Sequence, residues 1–147
     1  MMRASDRTLE SIQSHGAESY PEECCGFLLG RIRDSGNDVV ATRPAANRRT
    51  EDRERRFMIA PEDALAAENA AREQGLDVVG FYHSHPDHPA EPSQTDLDEA
   101  TFPGYTYVIV SVRRGCPGEV TAWSLRADRS RFDPIQIETT PEPSEIP

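Results

Sequence analysis

Apolar positions along this chain recur at periods that change from segment to segment, and each period predicts an element. Between Asp6 and Ala17, Leu9 and Ile12 stand at helical spacing with serine and glutamate between them, which predicts a weakly amphipathic first helix. Beyond Pro21, the cluster Phe27, Leu28, Leu29 and Ile32 reads as a buried strand. The DSGND stretch turns the chain, and VVATRPAAN predicts a second strand that Pro44 assigns to a sheet edge. FMIA predicts a further short strand. PEDALAAENAAREQG predicts a helix: Pro61 suits its first turn, Glu62 and Asp63 its positive end, and Gly75 its C-terminal cap. LDVVGFYHSH, rich in valine and aromatics, is the clearest strand, and the proline-rich PDHPAEPS after it is a loop.

The downstream pattern continues in the same way. Ser93 to Asp96, SQTD, has the form of a helix-opening capping box with Asp in place of Glu, and Pro103 and Gly104 should stop that helix near Thr101. YTYVIVSV and EVTAWSLRA predict a hairpin turning through Pro117 and Gly118, and FDPIQIE one last strand. The acidic, proline-rich TTPEPSEIP predicts a disordered tail. One domain over residues 1–138 followed by a tail over 139–147 accounts for the chain, with neither an internal repeat nor a linker. Runs of strands interspersed with helices indicate the α/β class, with an at least partly antiparallel sheet and helices on its faces.

Composition narrows the partners. A chain of 147 residues with 36% hydrophobic residues suits one modest core. The net charge of −10 argues against non-specific nucleic-acid binding and against docking on anionic membranes. No apolar run approaches the ~20 residues that span a bilayer. The start, MMRASDRTLE, lacks the apolar segment of a signal peptide. Three cysteines, two of them adjacent (Cys24, Cys25), do not form a disulfide framework, so a reducing cytoplasm is the expected home, with Cys24 and Cys25 as small buried hydrophobes. The mixed-sign run NRRTEDRERR reads as a solvated loop, with a docking edge for an acidic partner as the alternative.

Chemistry concentrates in GFYHSHPDHPAEPSQTDLDEA, which carries three of the four histidines. His83 and His85 lie two residues apart at the end of a predicted strand, so both imidazoles project from one face and can converge on one ion. A catalytic zinc site takes three protein ligands and leaves a fourth position open. Asp96 is the leading third candidate, with Asp87, His88, Glu91 and Asp98 as competitors. The bland alternatives are a capping acid at Asp96 and two ordinary strand-end histidines. Two imidazoles and a carboxylate favour zinc over iron or manganese.

HSHPDHPAEPSQTD reads as His-x-His, seven residues, Ser, two residues, Asp, and upstream YPEECCGFLLG supplies Glu-x-x-Gly from Glu23 to Gly26. Together these resemble the two separated motifs of the JAMM, or MPN-domain, zinc metallopeptidases, most closely the compact prokaryotic members. The resemblance runs loosely from Leu9 to Ile137. It implies a single-domain, largely antiparallel mixed sheet flanked by helices, with a cytidine-deaminase-like architecture. It implies that His83, His85 and Asp96 bind zinc, that Glu23 is the general base for the attacking water, and that Ser93 helps hold the oxyanion. By the same resemblance, the substrate is an amide bond at the diglycine C-terminus of a ubiquitin-like protein, above all a small sulfur carrier of cysteine or related sulfur metabolism. A non-catalytic MPN-type scaffold is the alternative. A zinc deaminase is disfavoured, because His-x-Glu and Pro-Cys-x-x-Cys are missing. Ser84 is read as structural, and Tyr105, Tyr107 and Trp123 as core or strand-face residues.

Overall fold

A computed structural model of the chain describes residues 1–141. The order of elements is β1 (Met2–Ser5), α1 (Asp6–Ser19), β2 (Cys25–Arg33), β3 (Gly36–Ala45), α2 (Pro61–Glu73), β4 (Asp77–Pro86), α3 (Gln94–Glu99), β5 (Thr106–Arg113), β6 (Cys116–Leu125), β7 (Phe132–Ile135) and β8 (Ile137–Thr140). The strands form one mixed sheet in the order β7-β6-β5-β4-β2-β3-β1-β8. Pairing is antiparallel except for β4 with β5 and β1 with β3 and β8. The fold is therefore the expected α/β arrangement with a largely antiparallel sheet.

Helices cover both faces. Ile12 of α1 packs with Met2, Leu28, Val79, Tyr82 and Val108 on one side of the sheet. On the other side, Ala67 and Ala71 of α2 meet Phe27, Leu29 and Leu76. Small alanines let α2 approach closely, and Pro61, Glu62 and Asp63 stand in its first turn as the sequence predicts. A bulge where β2 meets β4, between the Leu28–Gly80 and Leu29–Val78 pairs, shifts the alternation of side chains. Beyond it, Phe81 packs on the α2 side, whereas Tyr82 belongs to the α1 side. His83 and His85 follow Phe81 at the two-residue period of the strand.

Several elements differ from the pattern-based reading. β1 is an unexpected strand, four residues long and half polar, too short to show a period. FMIA is not a strand: Met58 bonds through its N–H to the Asn47 side chain and through its carbonyl to the Arg48 N–H, with no ladder on either flank. Pro44 lies on an interior strand, but β1 pairs only with Asn37–Val39, so β3 is a free edge at Pro44 itself. The β5–β6 turn falls at Arg114–Gly115, both at positive φ, and Pro117 is paired with Val112. α3 ends at Glu99, and α1 continues to Ser19. FDPIQIE divides at Gln136: β7 pairs with β6, whereas β8 pairs with β1 at the far edge. One extended run thus joins the two edges, and the sheet curls round α1. Thr139 and Thr140, assigned to a tail by composition, belong to β8. Residues 142–147 of that tail lie outside the described residues.

Candidate functional site

The Glu-x-x-Gly segment enters the sheet beside the strand of the two histidines. Cys25 pairs with His83, and extending this antiparallel register by two places brings Glu23 level with His85. Ser84 fixes the join: its Oγ accepts the Cys24 N–H at 2.8 Å, and its own N–H donates to the Cys24 carbonyl at 3.2 Å. The structural role expected of Ser84 is thus a lock on the residue next to Glu23. Gly26 must be glycine because a Cβ there would lie 2.3 Å from the Tyr82 ring. Asn47 reinforces the same point, since its Nδ2 donates to the Glu23 carbonyl, while the Glu23 N–H donates to the Arg53 carbonyl.

His83, His85 and Asp96 converge, with one ligand-type atom of each lying within 4.8 Å of the others. The two Nε2 atoms are 3.0 Å apart, His83 Nε2 is 3.2 Å from Asp96 Oδ1, and His85 Nε2 is 3.1 Å from Asp96 Oδ2. His85 Nδ1 donates to the Pro89 carbonyl at 2.8 Å, which in the neutral ring leaves Nε2 as the lone-pair nitrogen aimed at the cluster. The Phe57 ring stacks on His83 with centroids 4.7 Å apart. His88, Asp87, Glu91 and Asp98 are exposed and lie outside the cluster.

Asp96 takes part in the capping box and in the cluster at once. Ser93 Oγ accepts the Asp96 N–H at 3.0 Å and Asp96 Oδ2 accepts the Ser93 N–H at 2.9 Å, so the capping box is complete while both carboxylate oxygens face the histidines. A carboxylate has lone pairs enough for both tasks.

The electrostatics around the cluster are set by burial and by the neighbouring carboxylates. Burial pushes the Glu23 carboxyl up to about 9, and the nearby charges of Asp96 and Glu99 push it the same way. Glu23 Oε1 is buried with no hydrogen-bond partner among the described residues. Burial also works against an ionised Asp96, yet the His83 charge and the hydrogen bonds from His83, His85 and the Ser93 N–H outweigh it and hold the carboxyl far below its ordinary range. When His85 is neutral its Nε2 lone pair faces the Asp96 carboxylate, an unfavourable contact that a proton on Nε2 or a bound cation would relieve. Two imidazoles and one carboxylate form a donor set suited to zinc, and the residues present fit that ion.

Beside the cluster opens a cavity of about 380 Å³, with His83 and Asp96 in its wall. Phe57, Phe81, Phe102, Tyr107 and Phe132 line it, and Arg49 of the arginine-rich run stands at it too. Tyr107, read from sequence as a strand-face residue, is therefore also part of the cleft. The roles of Phe57 and Asn47 were missed by the sequence reading: Phe57 counted only as the first residue of FMIA and Asn47 as the last of VVATRPAAN, and neither belongs to a chemical motif.

This fold and this cluster define a member of the JAB/MPN group. The chain matches the family of prokaryotic homologs of the JAB domain over residues 5–126, and it belongs to that family. It is 35% identical to a desampylase of Haloferax volcanii over 133 residues, 88% of this chain and 91% of that one. It is 31% identical to a CysO-cysteine peptidase of Mycobacterium tuberculosis over 132 residues, 88% and 86% of the two chains. A solution structure of a Salinibacter ruber protein shares 57% identity, with a TM-score of 0.77 over 99% of this chain and 95% of that one. A JAB1/MPN domain protein of Archaeoglobus fulgidus shares the fold at 18% identity, with a TM-score of 0.60 over 96% of this chain and all of that one.

Proposed function

We propose that the chain is a zinc-dependent peptidase or isopeptidase. Its substrate is an amide bond after the diglycine end of a ubiquitin-like protein, a small sulfur carrier of cysteine or related sulfur metabolism in the cytoplasm. One observation carries the reading: three converging donors, with a buried carboxyl oxygen lacking a hydrogen-bond partner on Glu23, whose strand register brings it level with His85. Such a group costs stability wherever it does no chemistry. The relatives named desampylase and CysO-cysteine peptidase point to the same substrate class.

His83 Nε2, His85 Nε2 and Asp96 would hold the zinc ion, and bound zinc supplies Lewis acidity and brings the pKa of water to about 7. Glu23 takes the proton of the attacking water and returns it to the leaving amine. In the metal-free protein burial holds a proton on Glu23; a bound dication would oppose that shift and leave the carboxylate ionised to accept the water proton and pass it on. Ser93 accepts the Asp96 N–H, which leaves its hydroxyl hydrogen free to donate to a developing oxyanion. Glycines have no side chains to clash in a narrow approach, and the aromatic cleft excludes water around an extended tail.

The scaffold alternative gains nothing from the structure, because all five residues are present and close together. The test is incubation of the zinc-loaded protein with sulfur carriers extended beyond Gly-Gly, followed by intact-mass measurement. Loss of the extension is expected. Zinc bound at about one ion per chain with every carrier left intact would favour the scaffold.

A further inference from the structure

We infer that Ser111 and Thr121 are positioning residues for the metal site, acting through the backbone of the loop that joins His85 to Asp96. This rests on the zinc reading of the cluster. Residues 87–92 have no ladder partner, yet they set how far Asp96 stands from the histidines. Four consecutive residues of this loop are tied down by side-chain or turn contacts. Asp87 accepts the Tyr20 hydroxyl at 2.6 Å and the Arg114 N–H at 2.8 Å. The next three carbonyls each receive one donor: His88 from Ser111 Oγ at 2.6 Å, Pro89 from His85 Nδ1 at 2.8 Å, and Ala90 from Thr121 Oγ1 at 2.6 Å.

The middle donor is itself a member of the cluster. The Pro89 carbonyl fixes the tautomer and the ring direction of His85, and the two flanking carbonyls decide where Pro89 sits. Ser111 is aimed by the fold: it lies level with His85 in the β4–β5 register and at the irregularity where the β5–β6 pairing shifts. Thr121 is aimed by a relay. The Trp123 indole can only donate, and it bonds to Thr121 Oγ1 at 2.8 Å, so the threonine hydroxyl gives its own hydrogen to Ala90. Ala90 is fully buried, so an abandoned carbonyl there has little water to turn to and the loop must shift instead.

Partners of this outer kind typically change metal affinity by roughly 10- to 100-fold. The test is zinc affinity by chelator competition on the full chain, with melting temperature measured with and without zinc. Thr121→Val and Ser111→Ala should each weaken zinc about 10- to 100-fold and shrink the rise in melting temperature that zinc gives. Thr121→Ser, which keeps the hydroxyl, should restore affinity to within a few-fold. Thr8→Val removes a buried hydroxyl contact on α1, away from the loop, and should lower the melting temperature without weakening zinc. Affinity within twofold of wild type in both Thr121→Val and Ser111→Ala would overturn the inference, as would Thr121→Ser binding as poorly as Thr121→Val. Wild-type protein that binds no zinc would sink the zinc reading itself, a separate result from tight wild-type binding with unaffected variants.

Discussion

The cluster is assembled from two regions held by opposite means. β4 carries His83 and His85 in the interior of the sheet, paired with β2 from Asp77 to His83 and with β5 from Gly80 to Pro86. Asp96 arrives on a short helix after a loop with no ladder at all, fixed by a capping box and by hydroxyls reaching its carbonyls. A ladder fixes many residues at once and tolerates little change in any of them. A set of separate side-chain bonds can be altered one at a time. The histidine pair is therefore the invariant part of the geometry, and the Asp87–Ala100 arm is the part that substitutions can tune.

The harshest break is on the ladder side. A Cβ at Gly80 would lie 1.9 Å from the Thr106 carbonyl oxygen, where β4 and β5 meet. Gly80→Ala should cost at least about 3 kcal/mol in denaturant unfolding or prevent folding altogether, since backbone cannot move aside as a side chain can. Next in size is Glu23→Gln, which should lower turnover of a cleavable carrier by roughly 10²- to 10⁴-fold while zinc content stays at the wild-type level. Retained activity would remove Glu23 from its role. On the loop side, Asp96→Ala should weaken zinc by more than about 100-fold, above what outer partners give, and His88→Ala by no more than a few-fold. Equal losses would mean that the loop donor is misassigned.

The last effect is one of pH, and it is gradual. The native Glu23 carboxyl holds its proton up to about 9, whereas in the unfolded chain it ionises near its ordinary value of 4.5. Between those limits the native state binds the extra proton, so metal-free stability falls as pH rises, by at most about 1.4 kcal/mol per unit. Subtracting the Glu23→Gln profile isolates this slope from those of Asp96 and His85. Denaturant melts of the metal-free proteins between pH 5 and 8 should show wild type losing ground to the variant, and parallel profiles would contradict the burial of an ionisable Glu23.

Both regions were partly legible in the sequence, for different reasons. Two-residue spacing marks His83 and His85 because a strand enforces that period, and Ser-x-x-Asp marks α3 because capping chemistry is local. Glu23 needed a family pattern, since only long-range pairing brings it opposite His85. FMIA misled because apolarity signals burial and says nothing about a pairing partner: the Phe57 ring stacks against His83, and the Met58 backbone N–H donates to the Asn47 side chain instead of a neighbouring strand. Ser111 and Thr121 were invisible because hydroxyl residues are ordinary in strands, and their targets are carbonyls, which carry no sequence signal. The split of FDPIQIE was equally hidden, because an extended run looks the same whether it serves one neighbour or two.

That split run has a consequence in time. Residues Phe132–Thr140 join β6 to β1: Met2 pairs with Asn37 of β3 on one flank, and on the other finds its partner at Ile137. A chain made from its N-terminus exposes that flank of β1 until almost the whole sequence has emerged. Closure of the sheet is then a late, long-range event, of the kind that slows folding and leaves an unpaired edge open to wrong partners.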